Sequence, residues 1–231
     1  YTDFALRVLT LCAPDSPALP RAARYLETCP LPDDLVHVCA LLNSVRMLRR
    51  CGYQVQREMS REVPPFDNAY SFFLAALCAE MRDEPFPDQE AAVGRLRALH
   101  RDDGGFAGQL GETSGQTNAT AAALGALALW DHLEASDAAV TAFLAGMQAE
   151  DGGLRAHAAI AAGDLLSTFT GLLTLATLGK MAALRLGDLG RFTRALACPD
   201  GGFRGVADDD ADIEYTFYGL GTLALLAMCL A

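Results

Sequence analysis

Five acids fall within seven residues at Asp208-Asp209-Asp210-Ala211-Asp212-Ile213-Glu214, and Tyr215 follows directly. Carboxylates this close repel one another, and one withdrawn from water keeps its proton to a higher pH. Asp210, Asp212 and Tyr215 are therefore the candidate proton-handling residues, with Glu214 beside them as a ligand contact. Acid chemistry here needs a dry apolar setting and a carboxyl held protonated. Two facts pull the other way. A helix starting at Asp212 favours the ionised form at its N-terminus, and runs of acids are usually solvated loops.

Asp212 is the last of a column. Asp3, Asp34, Asp67, Gln116, Asp164 and Asp212 each stand before an apolar stretch of helical pattern. Asp is a preferred N-cap, because its carboxylate accepts from the first free amides of a helix. The same residues would bear on a ligand if the helix starts converge on one cavity mouth. Tyr70 and Tyr215 sit three residues after their Asp, on the same helix face, with His37 in that column of the second unit. They either line the mouth or pack between helices.

The elements that position this column repeat. Asp103-Gly104-Gly105-Phe106, Asp151-Gly152-Gly153-Leu154 and Asp200-Gly201-Gly202-Phe203 lie 48 and 49 residues apart. A fixed period of this size marks a repeat architecture whose units bury their apolar faces only by stacking. The glycines punctuate tight turns, and Phe106, Leu154 and Phe203 are expected to plug the gaps between hairpins. The clearest units run 67–115, 116–163, 164–211 and 212–231. Between the apolar helices lie amphipathic segments at Leu19–Thr28, Gln54–Glu62, Asp88–His100, Asp137–Gln148 and Asp188–Ala197. In the unit that starts at Asp67, Pro64-Pro65 takes the place of the glycine turn. Inner apolar and outer amphipathic helices imply an all-α, α/α toroid of helical hairpins (an α6/α6 barrel) in a single domain, 1–231. The sequence ends in or just after the sixth inner helix.

The 231 residues carry a net charge of −11, which argues against nucleic acid or an anionic membrane as partner. The longest apolar runs, Thr216–Ala231 and Leu165–Gly179, fall short of the ~20 residues of a bilayer span. No secretion signal is legible. The seven scattered Cys lack a Cys-x-x-Cys and fit buried thiols in a reducing cytoplasm.

A Gly-Gly-Phe turn, then Asp212-Ile-Glu-Tyr-Thr-Phe-Tyr-Gly-Leu opening an inner helix, resembles the prenyltransferase and squalene-cyclase repeat. Over roughly 67–231 the chain is most similar to the β subunits of protein farnesyl- and geranylgeranyltransferases. The resemblance implies an isoprenoid or isoprenoid diphosphate ligand and a helical partner subunit. It also implies zinc ligands in an Asp-x-Cys at one inner-helix start and an Asp-x-x-His at the next. Residue by residue, Asp164 matches the first Asp, but Leu166 stands in place of the Cys and Tyr215 in place of the His. Gln116 falls on the diphosphate-binding His, and Ser167 on the Tyr beside the zinc Cys. The zinc site is thus expected to be lost, leaving no cofactor, or Mg with a diphosphate. Arg155 and Arg204, each directly after a Gly-Gly-x turn, offer a diphosphate paired contacts, or they remain solvated on their loops.

Three functions compete. The first is a divergent prenyltransferase-like protein holding an isoprenoid chain in an apolar central cavity, with Asp164, Gln116, Tyr70, Arg155, Arg204 and Glu214 as contacts. The second is a class II terpene-cyclase-like protein. Those cyclases place Asp-x-Asp-Asp at an inner-helix start; Asp210-Ala211-Asp212 reproduces two of the three, Ile213 replaces the last, and Asp212 would be the acid. The third is a non-catalytic toroid that binds protein.

Overall fold

The computed structural model describes residues 1–57, 66–133 and 137–229. Among them it has ten α-helices, one short 3-10 turn (Met181–Ala183) and no strand. The helices are α1 (Thr2–Cys12), α2 (Ala18–Thr28), α3 (Leu35–Arg50), α4 (Ala69–Arg82), α5 (Gln89–Arg97), α6 (Thr117–Leu129), α7 (Asp137–Gly146), α8 (Leu165–Thr177), α9 (Leu186–Ala195) and α10 (Ile213–Met228). The expected alternation of apolar and amphipathic helices holds, with one gap. Residues 54–57 of the segment Gln54–Glu62 are not helical, and its remainder, like Pro64-Pro65, lies outside the described residues.

The chain divides into two compact units. The first comprises residues 1–67 and 74–87. Here α1 packs on α3, and α2 touches both. Leu6, Leu19, Leu26, Val45 and Leu48 form one core cluster. Leu35, Val38, Cys39, Leu42, Leu74 and Cys78 belong to a second. Burying one such side chain stabilises the fold by roughly 1.5–3 kcal/mol. Asp34 caps α3, its Oδ1 accepting from the His37 amide at 3.0 Å. That hydrogen bond holds the Asp34 carboxyl below its ordinary range. Asp3 departs from the column. It lies inside α1, buried, where it accepts from Arg7 Nε at 2.8 Å and Asn43 Nδ2 at 2.7 Å. A carboxylate so enclosed serves packing between α1 and α3.

The second unit comprises residues 68–73 and 88 onward. α8 lies between α6 and α10, and α9 packs on α10. The turns before α6 and α8 share one latch. Asp103 accepts from the Gly105 amide at 3.0 Å and the Gly115 amide at 2.8 Å. Asp151 repeats this with Gly153 at 3.0 Å and Gly163 at 2.9 Å. Gly115 and Gly163 are required by close approach: a Cβ would stand 2.7 Å from the α-carbon of Gly105, or 2.6 Å from that of Gly153. The third turn has Ala211 at this place. It adopts another shape, with Gly202 at φ +79, whereas Gly105 and Gly153 stay at negative φ.

Phe106, Leu154 and Phe203 are the expected plugs, 3%, 0% and 8% exposed. Each bridges backbone on both sides, pairing with His100 and Gln116, Gln148 and Asp164, or Ala197 and Asp212. Their amides donate to the hydroxyls of Thr120, Thr168 and Thr216 at 2.8, 2.9 and 3.1 Å. A turn thereby fixes the start of the helix that follows it.

Candidate functional site

The plug carbonyls accept from the amides of Gln116, Asp164 and Asp212 at 2.9, 3.0 and 3.2 Å. The three residues are thus held at the starts of α6, α8 and α10, at a uniform spacing of 48. Asp164 Oδ1 accepts from the Ser167 amide and Asp212 Oδ1 from the Tyr215 amide, both at 2.7 Å. Gln116 occupies the same place without capping; its Nε2 donates to Glu112 Oε2 at 3.0 Å. The starts are tied sideways as well. Ala69, Thr117 and Leu165 donate their amides to the carbonyls of Gly108, Ala156 and Gly205, at 2.9, 2.9 and 3.0 Å. Each inner-helix start is therefore anchored to the next turn, and the candidate residues form a row.

The register of the first member needs correction. Asn68, not Asp67, stands before α4, and its Oδ1 accepts from the Ser71 amide at 2.9 Å. Tyr70 consequently shares its column with Asn118, Leu166 and Glu214, not with Tyr215. Tyr70 and Gln116 line one pocket of about 360 Å³, with Asn68, Gly108, Gln109, Glu112 and Asn118. A larger crevice of about 500 Å³ lies against α9, lined by Phe192, Leu196, Val206 and others, and holds none of the candidate residues.

At the other end of the row, Tyr215 and Glu214 flank Asp212. Tyr218 donates to Glu214 Oε1 at 2.9 Å, and its ring lies 6.1 Å from that of Tyr215. The Tyr215 ring covers Gly205, where a Cβ would collide with it. Burial first, then the charges of Asp164, Glu214, Asp212 and Asp209, push the Tyr215 phenol above its ordinary range. Asp164 and Asp212 thus act on one phenol from two neighbouring repeats. Asp208, Asp209 and Asp210 are exposed, so Asp210 sits on a solvated loop and lacks the dry setting that acid catalysis requires. Arg155 and Arg204 donate to the carbonyls of Gly146 and Ala207, each at 2.7 Å. Those bonds hold the Arg155 guanidinium on the C-terminal end of α7 and that of Arg204 on its own loop.

Sequence reasoning missed a band of apolar side chains beside this row. Phe73, Phe169 and Phe217 stand at the fifth position after Asn68, Asp164 and Asp212, and all three are half-buried. Leu173 and Leu220 continue the band at 42% and 39% exposed. Phe169 meets Phe217 edge-on at 5.4 Å. Phe73 lies on Gly125 and Phe169 on Gly221, where a Cβ would approach the rings to 2.7 and 2.5 Å. The signal was a Phe at one fixed offset facing a Gly at another.

The positions that the resemblance assigns to zinc do not fit the metal. Asp164 spends an oxygen on capping, Leu166 offers no donor, and Tyr215 is packed on Gly205. Zinc takes about four donors, usually sulfur or imidazole among them. Because the caps at 164 and 212 fix the register, no slip brings a Cys or His into those places. Among the described residues no group of three or more His, Cys, Asp or Glu is arranged to hold a metal ion.

Residues 45–230 match the model of the prenyltransferase alpha-alpha toroid domain. The chain belongs to that family, and its fold class is the all-α toroid. Among solved structures it is similar to the Candida albicans protein geranylgeranyltransferase-I complexed with GGPP, with a TM-score of 0.71 at 14% identity. The match covers 83% of this chain and 66% of that one, a likeness of fold. No curated protein matches. Among the described residues no helix is long and apolar enough to cross a membrane.

Proposed function

We propose that this protein holds an isoprenoid chain along the band of Phe73, Phe169, Phe217, Leu173 and Leu220, and that it does so without zinc-assisted thiol transfer. The observation that carries the reading is the band itself. Apolar side chains left partly open to solvent on α4, α8 and α10 cost free energy unless a ligand covers them. They run from the row of Gln116, Asp164 and Asp212, so a bound chain would place its head group among polar residues. The ligand class is that of the Candida relative, which was solved with GGPP. The free state of all seven cysteines supports a reducing compartment such as the cytoplasm.

The cyclase-like reading, with Asp212 as acid, draws less support. One oxygen of Asp212 is committed to capping α10, where it accepts the Tyr215 amide. Native mass spectrometry with farnesyl and geranylgeranyl diphosphate, with and without Mg2+, tests the proposal, alongside elemental analysis. Expected are a one-to-one adduct that Phe169→Ala weakens and no stoichiometric zinc. Absence of any adduct overturns the isoprenoid reading; one zinc per chain overturns the metal-free one.

A further inference from the structure

The pocket at the starts of α4 and α6 has a chemistry of its own. Its polar lining is four amide side chains (Asn68, Gln109, Gln116, Asn118), the Tyr70 phenol and the Glu112 carboxylate. Among the described residues no Lys, Arg or His lines it. Glu112 is held in an unusual way. The Gly108 amide at 2.8 Å, the Gln116 Nε2 at 3.0 Å and the Gln109 amide at 3.4 Å all converge on Oε2. Among the described residues, no hydrogen bond reaches Oε1. Three donors on one oxygen fix the carboxylate in place and leave the other oxygen, with its share of the charge, uncommitted. Asn118 is fixed too: its Oδ1 accepts from Thr170 Oγ1 at 2.7 Å and its Nδ2 donates to Ser167 Oγ at 3.4 Å.

An anchored carboxylate with one open oxygen selects for a ligand that brings donors and positive charge. A neutral acceptor gains nothing at Oε1, and an anion is repelled. The amide carbonyls of Gln109 and Gln116 and the Tyr70 side chain, 52% exposed, line the same pocket and favour the same partner, since an aromatic ring attracts a cation. A pocket of about 360 Å³ is at the small end of the range for small-molecule sites.

We infer that this pocket is a binding site for a protonated amine, with Glu112 Oε1 as the charge partner and the Tyr70 ring as one wall. The pocket shares Gln116 with the row beside the band proposed for the isoprenoid, but no residue of the band itself lines it, and neither reading requires the other. A diphosphate head group is a poor occupant of this pocket.

The test uses three probes of equal chain length: n-hexylamine, n-hexanol and hexanoate. Binding is followed by protein amide NMR shifts. Expected is a preference of about tenfold or more for the amine over the alcohol, since one charge-assisted bond contributes roughly that much or more. Hexanoate should be weakest, and the shifts should centre on Gly108, Gln109 and Asn118. Glu112→Gln should erase the preference for the amine while leaving the weak hexanol binding in place. Because Glu112 also orders its loop, Tyr70→Leu is a second variant; it should weaken the amine several-fold with the loop signals unchanged. Equal binding of amine and alcohol by the parent protein, or amine shifts centred elsewhere, overturns the inference whatever the variants do. A folded Glu112→Gln that keeps the preference overturns it as well.

Discussion

Asp151 reaches twelve residues along the chain to Gly163, its Oδ2 accepting that amide at 2.9 Å. The hydrogen bond closes the turn on itself, and it works only because Gly163 has no side chain: a Cβ would stand 2.6 Å from the α-carbon of Gly153. Gly163→Ala and Gly115→Ala should each destabilise the protein by about 1–3 kcal/mol, the usual range for forcing an extra carbon into a packed site. Ala211→Gly, in the turn already built around a side chain, should cost at most about 1 kcal/mol through backbone entropy. Urea unfolding of the three variants decides this; equal losses at all three positions would mean that the third turn uses the same latch.

The threonines under the plugs give a second prediction. Thr168 is fully buried, and its hydroxyl accepts the Leu154 amide at 2.9 Å. Thr168→Val keeps the volume and leaves that amide without its partner. The expected loss is about 1–3 kcal/mol, the cost of a buried unsatisfied donor. Thr177→Val, at an exposed position of the same helix, is the control and should change stability by less than about 0.5 kcal/mol. Similar effects from both would reduce the Thr column to helix propensity.

The repeat architecture was legible because its signals are local: a glycine pair at a fixed period, and apolar runs of helical length between charged segments. The plugs were legible for the same reason. The first register was not. Asp67 and Asn68 are adjacent and both are good caps, so residue type could not choose between them. The uniform spacing of 48 between Gln116, Asp164 and Asp212, carried one unit back, would have chosen Asn68. The open oxygen of Glu112 and the anchoring of Arg155 and Arg204 to carbonyls depend on the three-dimensional path of loops, and no spacing encodes that path. The pairing of Phe73 with Gly125 was written in the sequence as two offsets, each uninformative until the helices are set side by side.

Tyr215 supplies a pH signature. Its phenol is raised above the ordinary value of 10.0 by burial and four carboxylates. A folded-state pKa above the unfolded one means that this residue's stabilising contribution is complete below pH 10.0 and declines as the pH climbs through the folded value. In a spectrophotometric titration at the phenolate band, Tyr215 should ionise after the exposed tyrosines. Tyr215→Phe should remove one late-ionising tyrosine. If the variant loses none, the phenol does not sit among the acids of both repeats.

Thiol accessibility checks the packing of the first unit. Cys12, Cys51 and Cys229 are exposed, whereas Cys39 and Cys78 are buried. The Cys39 thiol is pushed up by its hydrogen bond to Cys78 and by burial, which lowers its reactivity further. Labelling of the folded protein with a disulfide reagent should therefore release three equivalents quickly, one from each exposed thiol. Fast reaction of Cys39 or Cys78, located by peptide mapping, would contradict the core of Leu35, Val38 and Leu74.

The last prediction separates architecture from function at Asp212. Its carboxylate caps α10 through the Tyr215 amide at 2.7 Å, and it lies within reach of the same phenol as Asp164. Asp212→Asn keeps an acceptor for the cap and removes the charge, so stability should change by only a few tenths of a kcal/mol, whereas Asp212→Ala should lose about 1 kcal/mol. Isoprenoid binding responds differently. If the mouth of the apolar band receives a head group, removing one of the negative charges around Tyr215 should change the affinity for farnesyl diphosphate and leave the affinity for farnesol, which has no charge, unaltered. The direction for the diphosphate is a gain of several-fold, because like charges no longer oppose it. Asp208→Asn and Asp209→Asn, on the exposed loop, are the controls and should shift the diphosphate affinity much less, since solvent screens them. Two results would count against the site. If Asp212→Asn lowers the melting temperature as far as Asp212→Ala does, the cap needs the charge itself. If all three Asn variants bind farnesyl diphosphate like the parent, the head group does not rest among these helix starts, and the column of acids is architecture alone.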